Sequence, residues 1–571
     1  MDLYRVWLIL VLLVVLAYHS SAEIHNPETC PRPSVGSTVE EPQDLHSSNG
    51  ILRLELNYYS FVDELGRTRF CFQTSDGKES PTLRVRRGDE VVILLKNKLT
   101  RPEPLTPEMS AHSAATTCTS GAMTAGAVNL HFHGLMIAPT CHQDDTLSTA
   151  IQPSDPPFEY KFKIPNDQPP GTYWYHPHIH GFTRAHSLGG ASGALIVEGI
   201  EAVSPVVRDL PERVFVIRDQ DLMHPDAEPI WTGPGPAPPV IKDADGDVIN
   251  TGTGTGKPAK DLSINYVPVP FPDYKPAVIM MRSRERQFWR VLNASAITYV
   301  DLRFLYSGQP QTFDLVAIDG IPLNYEKPEN PGVIPKNHLI LPPAGRAEFV
   351  ITAPPPDVKG VLVTRSVDTG RVGDNAPVRQ IAEIRTQSDA PEPSSQLSRS
   401  KGDISHHTSV PLSRTKPVRE RLLYFSERPS NPDDPNSPTM FFITVEGQEP
   451  KPFDPASHLP NITVHAGDVE DWIIENRTLE LHAFHIHQTH FQLLELNGIP
   501  VEEPFLYDTV NVPYWKEKMR AYPGVKVRID FRSPSIVGTF AYHCHLLEHQ
   551  DGGMMGLIRV LPAERVKDLR R

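Results

Sequence analysis

The chain has 571 residues, of which 39% are apolar, 58 are proline and 36 are glycine. At roughly 100–200 residues per domain the length allows about three to five domains, and the proline and glycine content suits short strands and turns better than long helices. A formal net charge of −14, with no basic run of the nuclear or polybasic type, argues against nucleic acid or any other polyanion as a partner.

At the N-terminus Arg5 precedes an apolar run from Val6 to Ala17, and Ser20 and Ala22 fit a small-x-small cleavage site. The run is too short to span a bilayer, so residues 1–22 read as a secretory signal, with an uncleaved anchor as the alternative. No later stretch approaches a membrane span. The mature chain is therefore expected off the membrane, secreted or periplasmic, where disulfides persist. If Cys544 has another role, Cys30, Cys71, Cys118 and Cys141 remain for pairing. Cys118 and Cys141 flank the stretch NLHFHG and are the favoured pair, with Cys30–Cys71 second. Such a loop closure contributes roughly 3 kcal/mol. The other connectivities, and four free thiols, stay open.

After an N-terminal extension over 23–49, LRLELNYY alternates Leu52, Leu54, Leu56 and Tyr58 with polar residues, the pattern of a half-buried strand. LRVRRGDEVVILLKN then places a Gly88–Asp89 turn before an apolar strand ending at Asn97. ITVHAGDVEDWIIEN repeats the layout with Gly467–Asp468 and Asn476, and MRSRERQFWRVLN echoes it with Glu285 and Asn293. The acid-to-Asn spacing is the same in all three, which suggests three related all-β units. Their coarse bounds are 50–199, 204–385 and 418–561. The polar, Ser/Pro-rich stretch 386–417 reads as a linker and 562–571 as a tail.

The first and third units share more than strands. VNLHFH and GTYWYHPH in the first correspond to HAFHIH and GTFAYHCH in the third. Four His-x-His pairs follow, in two matched sets: His131/His133 with His485/His487, and His176/His178 with His543/His545. Packed face to face, the two units could gather eight imidazoles, enough for three metal ions with positions left for a small ligand. The third unit differs in having Cys544 where the first has Pro177, and His482 where it has Val128. That adds a second site of His482, Cys544 and His549, with Met554 beyond. Two imidazoles, a thiolate and a distant thioether suit an electron-transfer copper; zinc, which has no redox chemistry, is the alternative. Side chains alternate along a strand, so Cys544 points away from His543 and His545 and one strand bridges the two sites.

These motifs resemble the multicopper oxidases: laccases, bilirubin oxidases, copper efflux oxidases and ferroxidases. The resemblance covers nearly all of the mature chain, and all four motifs match. It implies three tandem cupredoxin-like Greek-key domains, of which the second binds no copper. It implies four copper ions. The type 1 copper takes His482, Cys544 and His549 with Met554 axial (Met555 is the alternative sulfur), and the type 2 copper takes His131 and His485. The type 3 pair takes His133, His176, His178, His487, His543 and His545. It also implies four one-electron oxidations of a reductant, with electrons passing through Cys544 and dioxygen becoming two waters. The expected donor is a phenol or aromatic amine, as in laccases, because the methionines are scattered and no Met-rich insert suited to Cu(I) is present. Oxidation of Cu(I) or Fe(II), or a copper electron carrier without oxidase turnover, are the alternatives. The chain is expected to act as a monomer. Where many relatives carry Glu after the last type 1 histidine, this chain has Gln550. The proton relay is therefore assigned to Asp144–Asp145, with Asp145 preferred; capping of a turn is the competing reading. His142, His180, His186, His490 and His406–His407 read as supporting or surface histidines.

Overall fold

The computed structural model describes residues 30–99, 117–118, 122–228, 240–242, 247–250, 252–325, 332–391, 393, 395–396, 410–434 and 437–563. The signal reading over 1–22, the His406–His407 pair and the end of the tail lie outside these residues.

Strands dominate, arranged as three pairs of sheets. The first pair joins a four-stranded sheet, containing Ile51–Val62 and Glu90–Asn97, to a five-stranded sheet whose neighbouring strands Gly193–Val197, Gly171–His176 and His131–His133 end at one edge. The second pair has nine and six strands. The third has seven and five, the five-stranded sheet containing Met555–Leu561, Gly538–Cys544, His482–Ile486 and Thr509–Val512 in that order. Apolar residues from facing sheets fill each interior: Leu52, Leu56, Tyr58, Val91 and Ile93 in the first, Trp289, Phe304 and Phe349 in the second, Trp472, Phe484 and Tyr542 in the third. This is the expected all-β, cupredoxin-like class. Among the described residues the α-helices are short, Thr183–Leu188, Ile200–Val203 and Leu547–Asp551, and no helix is long and apolar enough to cross a membrane.

The repeated acid and asparagine have the same work in each unit. Asp89 accepts the Arg86 N–H, Glu285 the Arg282 N–H and Asp468 the His465 N–H, at 2.8, 3.2 and 2.9 Å, closing the turn before the strand. Asn97, Asn293 and Asn476, all buried, end the strands and donate to two main-chain carbonyls each: Gly126 and Ile151, Thr298 and Leu341, Glu480 and Val512. Buried amides with both hydrogens committed are structural, and Asn293 and Asn476 are not available to a glycan despite lying in Asn-x-Ser/Thr sequences.

Two stretches expected to be peripheral are built into the fold. Within the 23–49 extension, Asp44–His46 pairs parallel with Thr82–Val85, Val39 joins the second core, and Cys30 is bonded to Cys71. Cys118 pairs with Cys141, so both favoured disulfides are present and Cys544 is the free cysteine. Within the 386–417 linker, Ser395–Gln396 pairs with Pro211–Glu212, Leu412 is buried, and Thr415 O accepts from Arg528. These stretches are held by short strand pairings and by isolated buried side chains, Val39 and Leu412, which form no apolar pattern along the sequence. The first and second sandwiches are also joined by a buried ionic lattice. Arg290 lies between Glu212 and Glu348, Arg84 reaches Glu212 at 2.9 Å, and Glu348 accepts the Thr172 N–H at 2.7 Å. Breaking one member of such a set leaves an uncompensated buried charge, at a cost of about 3–5 kcal/mol.

Candidate metal centre

The strand Gly538–Cys544 pairs antiparallel with His482–Ile486, setting Cys544 opposite Phe484 and His543 opposite His485. Alternation then puts His482, Phe484 and Cys544 on one face and His485, His543 and the flanking His487 and His545 on the other. The short helix Leu547–Asp551 turns back under the strand and returns His549 to the Cys544 face. The result is a triangle of donors: Cys544 Sγ lies 3.4 Å from His482 Nδ1 and 3.7 Å from His549 Nδ1, and the two Nδ1 atoms are 3.1 Å apart. A point about 2 Å from all three lies inside it, the length of a metal–imidazole bond. All three residues are buried. Burial pushes the Cys544 thiol well above its ordinary range, so a cation bound there must displace its proton.

Met554 is fully buried, its carbonyl accepts the Cys544 N–H at 3.1 Å and its N–H donates to His549 O at 2.8 Å. Met555 pairs with His543 in the sheet and so shares the other face. The main chain therefore holds Met554, not Met555, beside the Cys544 triangle.

On the opposite face the first and third sandwiches meet. His131 stacks on His487 with ring centroids 3.9 Å apart, and His133 on His485 at 4.0 Å. Donor atoms of His178, His487 and His543 lie within 4.8 Å of one another, as do those of His133, His176 and His545, and those of His131, His133 and His485. The outward nitrogens are committed: His131 Nδ1 to Asp144 at 3.0 Å, His176 Nδ1 to Pro177 O at 2.9 Å, His485 Nδ1 to Asp508 O at 2.8 Å and His543 Nδ1 to Cys544 O at 2.9 Å. Their inward nitrogens face the cluster; those of His131, His176 and His485 are buried with no hydrogen-bond partner, as are Nδ1 of His133 and His487 and both nitrogens of His545. Such groups cost about 1–3 kcal/mol each when left unmade. Their concentration in one place fits a metal cluster better than a hydrogen-bonded core. Burial first, and neighbouring charges second, hold His133, His176, His178, His485, His487 and His545 well below the usual imidazole range, and burial lowers His543 to about 3. Neutral imidazoles are the form that binds metal.

The two candidate acids part company. Asp144 is buried, contacts His131, accepts the Phe132 N–H at 2.9 Å and takes a further hydrogen bond from Gln488. Asp145 accepts the Ser148 and Leu147 N–H groups at 3.0 and 3.3 Å. Of the two, Asp144 is thus the one in contact with the cluster, and Asp145 is bonded into the turn. Gln550 is buried and donates to Thr183 Oγ1 at 3.2 Å. Of the other histidines, His142 is exposed and bonded to Glu159 O, His186 packs on Phe70, His180 lies against Phe453, and His490 lies 3.8 Å from Asp508. None joins either donor set.

Two family profiles described as multicopper oxidase match residues 122–201 and 429–564, the segments that carry these histidines. In both segments the chain matches the multicopper oxidases. It is accordingly a copper-dependent oxidoreductase. A laccase of Bacillus subtilis is 22% identical over 83% of this chain and 87% of its own length, and a multicopper oxidase of Staphylococcus haemolyticus is 24% identical over 88% of each. Among solved structures, a Campylobacter jejuni multicopper oxidase described as a metallo-oxidase aligns with a TM-score of 0.61 at 23% identity, covering 95% of this chain and 98% of that one. The fold is shared with it.

Several residues around the sites carry no signal in the sequence. His482 Nε2 bonds Thr478 Oγ1 at 2.9 Å and lies 3.2 Å from Glu427; His549 Nε2 lies 3.3 Å from Glu480. Burial and the neighbouring Glu427, Asp374 and Glu548 charges push Glu480 well above the carboxylate range. Asp508, fully buried, approaches His133 and His485.

Proposed function

We propose that this chain is a four-copper oxidase that draws electrons singly from a donor at His482, Cys544 and His549 and reduces dioxygen to water at the eight-histidine centre. The supporting observation is the strand Gly538–Cys544, which presents Cys544 to one donor set and His543 to the other, so that the two are separated by a single peptide unit. In this reading His482, Cys544, His549 and an axial Met554 hold the type 1 ion. His131 and His485 hold the type 2 ion; His133, His176, His178, His487, His543 and His545 hold the type 3 pair. Copper bound there would supply the one-electron and dioxygen chemistry.

The chain's own residues do the rest. All eight cluster imidazoles are at most 1% exposed, which excludes bulk water. Asp144 holds His131 by its Nδ1–H and is the buried carboxylate nearest the cluster from the first unit, so the proton relay is assigned to it. Gln550, an amide, orients but does not exchange a proton. The outer Nε2 atoms of His482 and His549 face Glu427 and Glu480, whose side chains are 15% and 11% exposed; this is the edge a donor can approach. The three-domain division, the secreted or periplasmic location and the monomeric state are part of the same proposal, supported by the three sheet pairs, by the two disulfides and by both sites being complete within one chain.

Phenols or aromatic amines remain the preferred donors, since the methionines are scattered and no Met-rich insert suited to Cu(I) is present. A second reading, oxidation of a metal ion, is favoured by the same carboxylates: Glu427, Glu480, Asp374 and Glu548 are hard oxygen ligands, better matched to Fe(II) than to Cu(I). Steady-state dioxygen uptake with a phenol, an aromatic diamine, Fe(II) and Cu(I) decides between them. Turnover of the organic donors above both ions supports the laccase-like reading, and strong Fe(II) turnover with negligible phenol oxidation replaces it. A full copper complement without uptake on any donor refutes the oxidase.

A further inference from the structure

The second sandwich supplies none of the expected ligands, yet one of its side chains reaches the eight-histidine centre. Arg346, fully buried at the start of Arg346–Thr352, donates Nη1–H to Asp508 Oδ1 at 2.7 Å and Nη2–H to Asp508 Oδ2 at 2.6 Å. Its Nε–H donates to Thr172 O of the first sandwich at 3.2 Å, and further hydrogens go to Ala344 O and Asp319 O of its own at 3.1 and 2.9 Å. The guanidinium is therefore fixed from three sides. Asp508, from the third sandwich, turns Oδ1 to within 3.1 Å of His133 Nε2 in the first, and Thr509 Oγ1 donates to the same oxygen at 2.9 Å. The space is made by Gly134, next to His133: at φ +85°, a Cβ there would sit 2.7 Å from Arg346 Nη2 and 2.8 Å from Asp508 Oδ2.

We propose that Arg346 is a positioning residue for the eight-histidine centre: its two-pronged grip on Asp508 fixes the carboxylate that accepts His133 Nε2–H, and so turns the unpartnered Nδ1 lone pair of His133 to the metal pocket. His131, His176, His485 and His543 commit Nδ1 outward; His133 alone among these is held by Nε2. Without a fixed carboxylate on Nε2 the ring can take the other tautomer, which puts a hydrogen where the lone pair is required. A guanidinium suits the task because its planar fork meets both carboxylate oxygens at once; an ammonium holds one point and leaves the carboxylate free to rotate.

The inference rests on His133 being a ligand, and the test separates the two. Full-length copper-loaded protein, Arg346→Lys and Asp508→Asn are compared by metal analysis, blue absorbance, electron paramagnetic resonance and reoxidation by dioxygen after anaerobic reduction. The expected result in both variants is an unchanged blue band and unchanged reduction by donor. The resonance of the eight-histidine centre, where His133 belongs to the type 3 set, is altered and reoxidation is slower by about ten- to a hundredfold, the usual scale for groups that orient ligands. Wild-type resonance and reoxidation within about twofold in either variant overturns the proposal. So does loss of both copper sites and of thermal stability together in both variants, which makes Arg346 a rivet between sandwiches and nothing more. Wild-type protein binding no copper beyond the Cys544 site refutes instead the reading of His133 on which the inference stands.

Discussion

Replacing His543 with Gln in the metal-free protein tests whether the cluster is neutral. The folded imidazole is held down to about 3, against 6.5 when free, by burial in the interface between two sandwiches. Between those values the unfolded chain binds a proton that the folded chain does not, so stability falls as pH drops below 6.5. Between pH 7.5 and 5.5 this one residue withdraws about 1.4 kcal/mol, and Gln withdraws none. His543→Gln should thus gain about 1.4 kcal/mol on the wild type over that interval, whatever its offset at pH 7.5. For a unit of this size that is about 3–6 °C in Tm. Asp551 and Asp319, whose carboxyls burial raises to about 7, act in the opposite direction but are common to both chains and cancel. The assay is thermal or urea unfolding with a chelator present at the two pH values. Adding His178→Gln, whose Nε2 lies 3.4 Å from that of His543, should double the gain if both rings are neutral. A difference independent of pH, or of opposite sign, would mean that the folded cluster carries the protons, and the picture of lone pairs ready for metal would fall.

Cys544→Ser should abolish the blue colour and donor oxidation together while copper remains at the eight-histidine centre; metal analysis and absorbance check both. Met554→Leu should raise the potential of the Cys544 site and keep its colour, whereas Met555→Leu should leave the potential alone; a rise in Met555→Leu only would reassign the sulfur. Asp144→Asn should leave reduction by donor intact but slow reoxidation by dioxygen about tenfold or more, most at high pH, and Asp145→Asn should reoxidise as wild type. Equal reoxidation in both Asp variants would move the proton route elsewhere.

The donor residues could be read from the sequence because strand periodicity fixes their directions. His-x-His places two rings on one face, and the residue between them points away, so Cys544 had to leave the face of His543 and His545. The turn acids and terminal asparagines were equally legible, since the same local geometry recurs three times at one spacing. Asp144 and Asp145 were not separable, because a turn has no fixed alternation and both residues are plausible caps. Arg346, Asp508, Glu427 and Glu480 left no mark for another reason. Each is a common residue type whose partner is distant in sequence: Arg346 and Asp508 meet groups of other sandwiches, and Glu427 and Glu480 meet His482 and His549 within the third, so only tertiary packing brings them together.

That packing bears on why the middle unit is needed at all. A cluster shared between the first and third sandwiches leaves many imidazole nitrogens buried without partners, an arrangement that by itself favours separation of the two faces. The second sandwich opposes this with charged groups that touch both neighbours. Arg290 and Glu348 lock it to Thr172 of the first, and Arg346 spans Thr172 and Asp508 of the third. Thr172 lies in the strand Gly171–His176 that ends in one cluster histidine, and Asp508 directly precedes the strand Thr509–Val512 that pairs with His482–Ile486. The middle unit thus grips one strand that carries a cluster histidine and the start of a strand paired with another, and holds in register an interface that leaves many imidazole nitrogens without a protein partner.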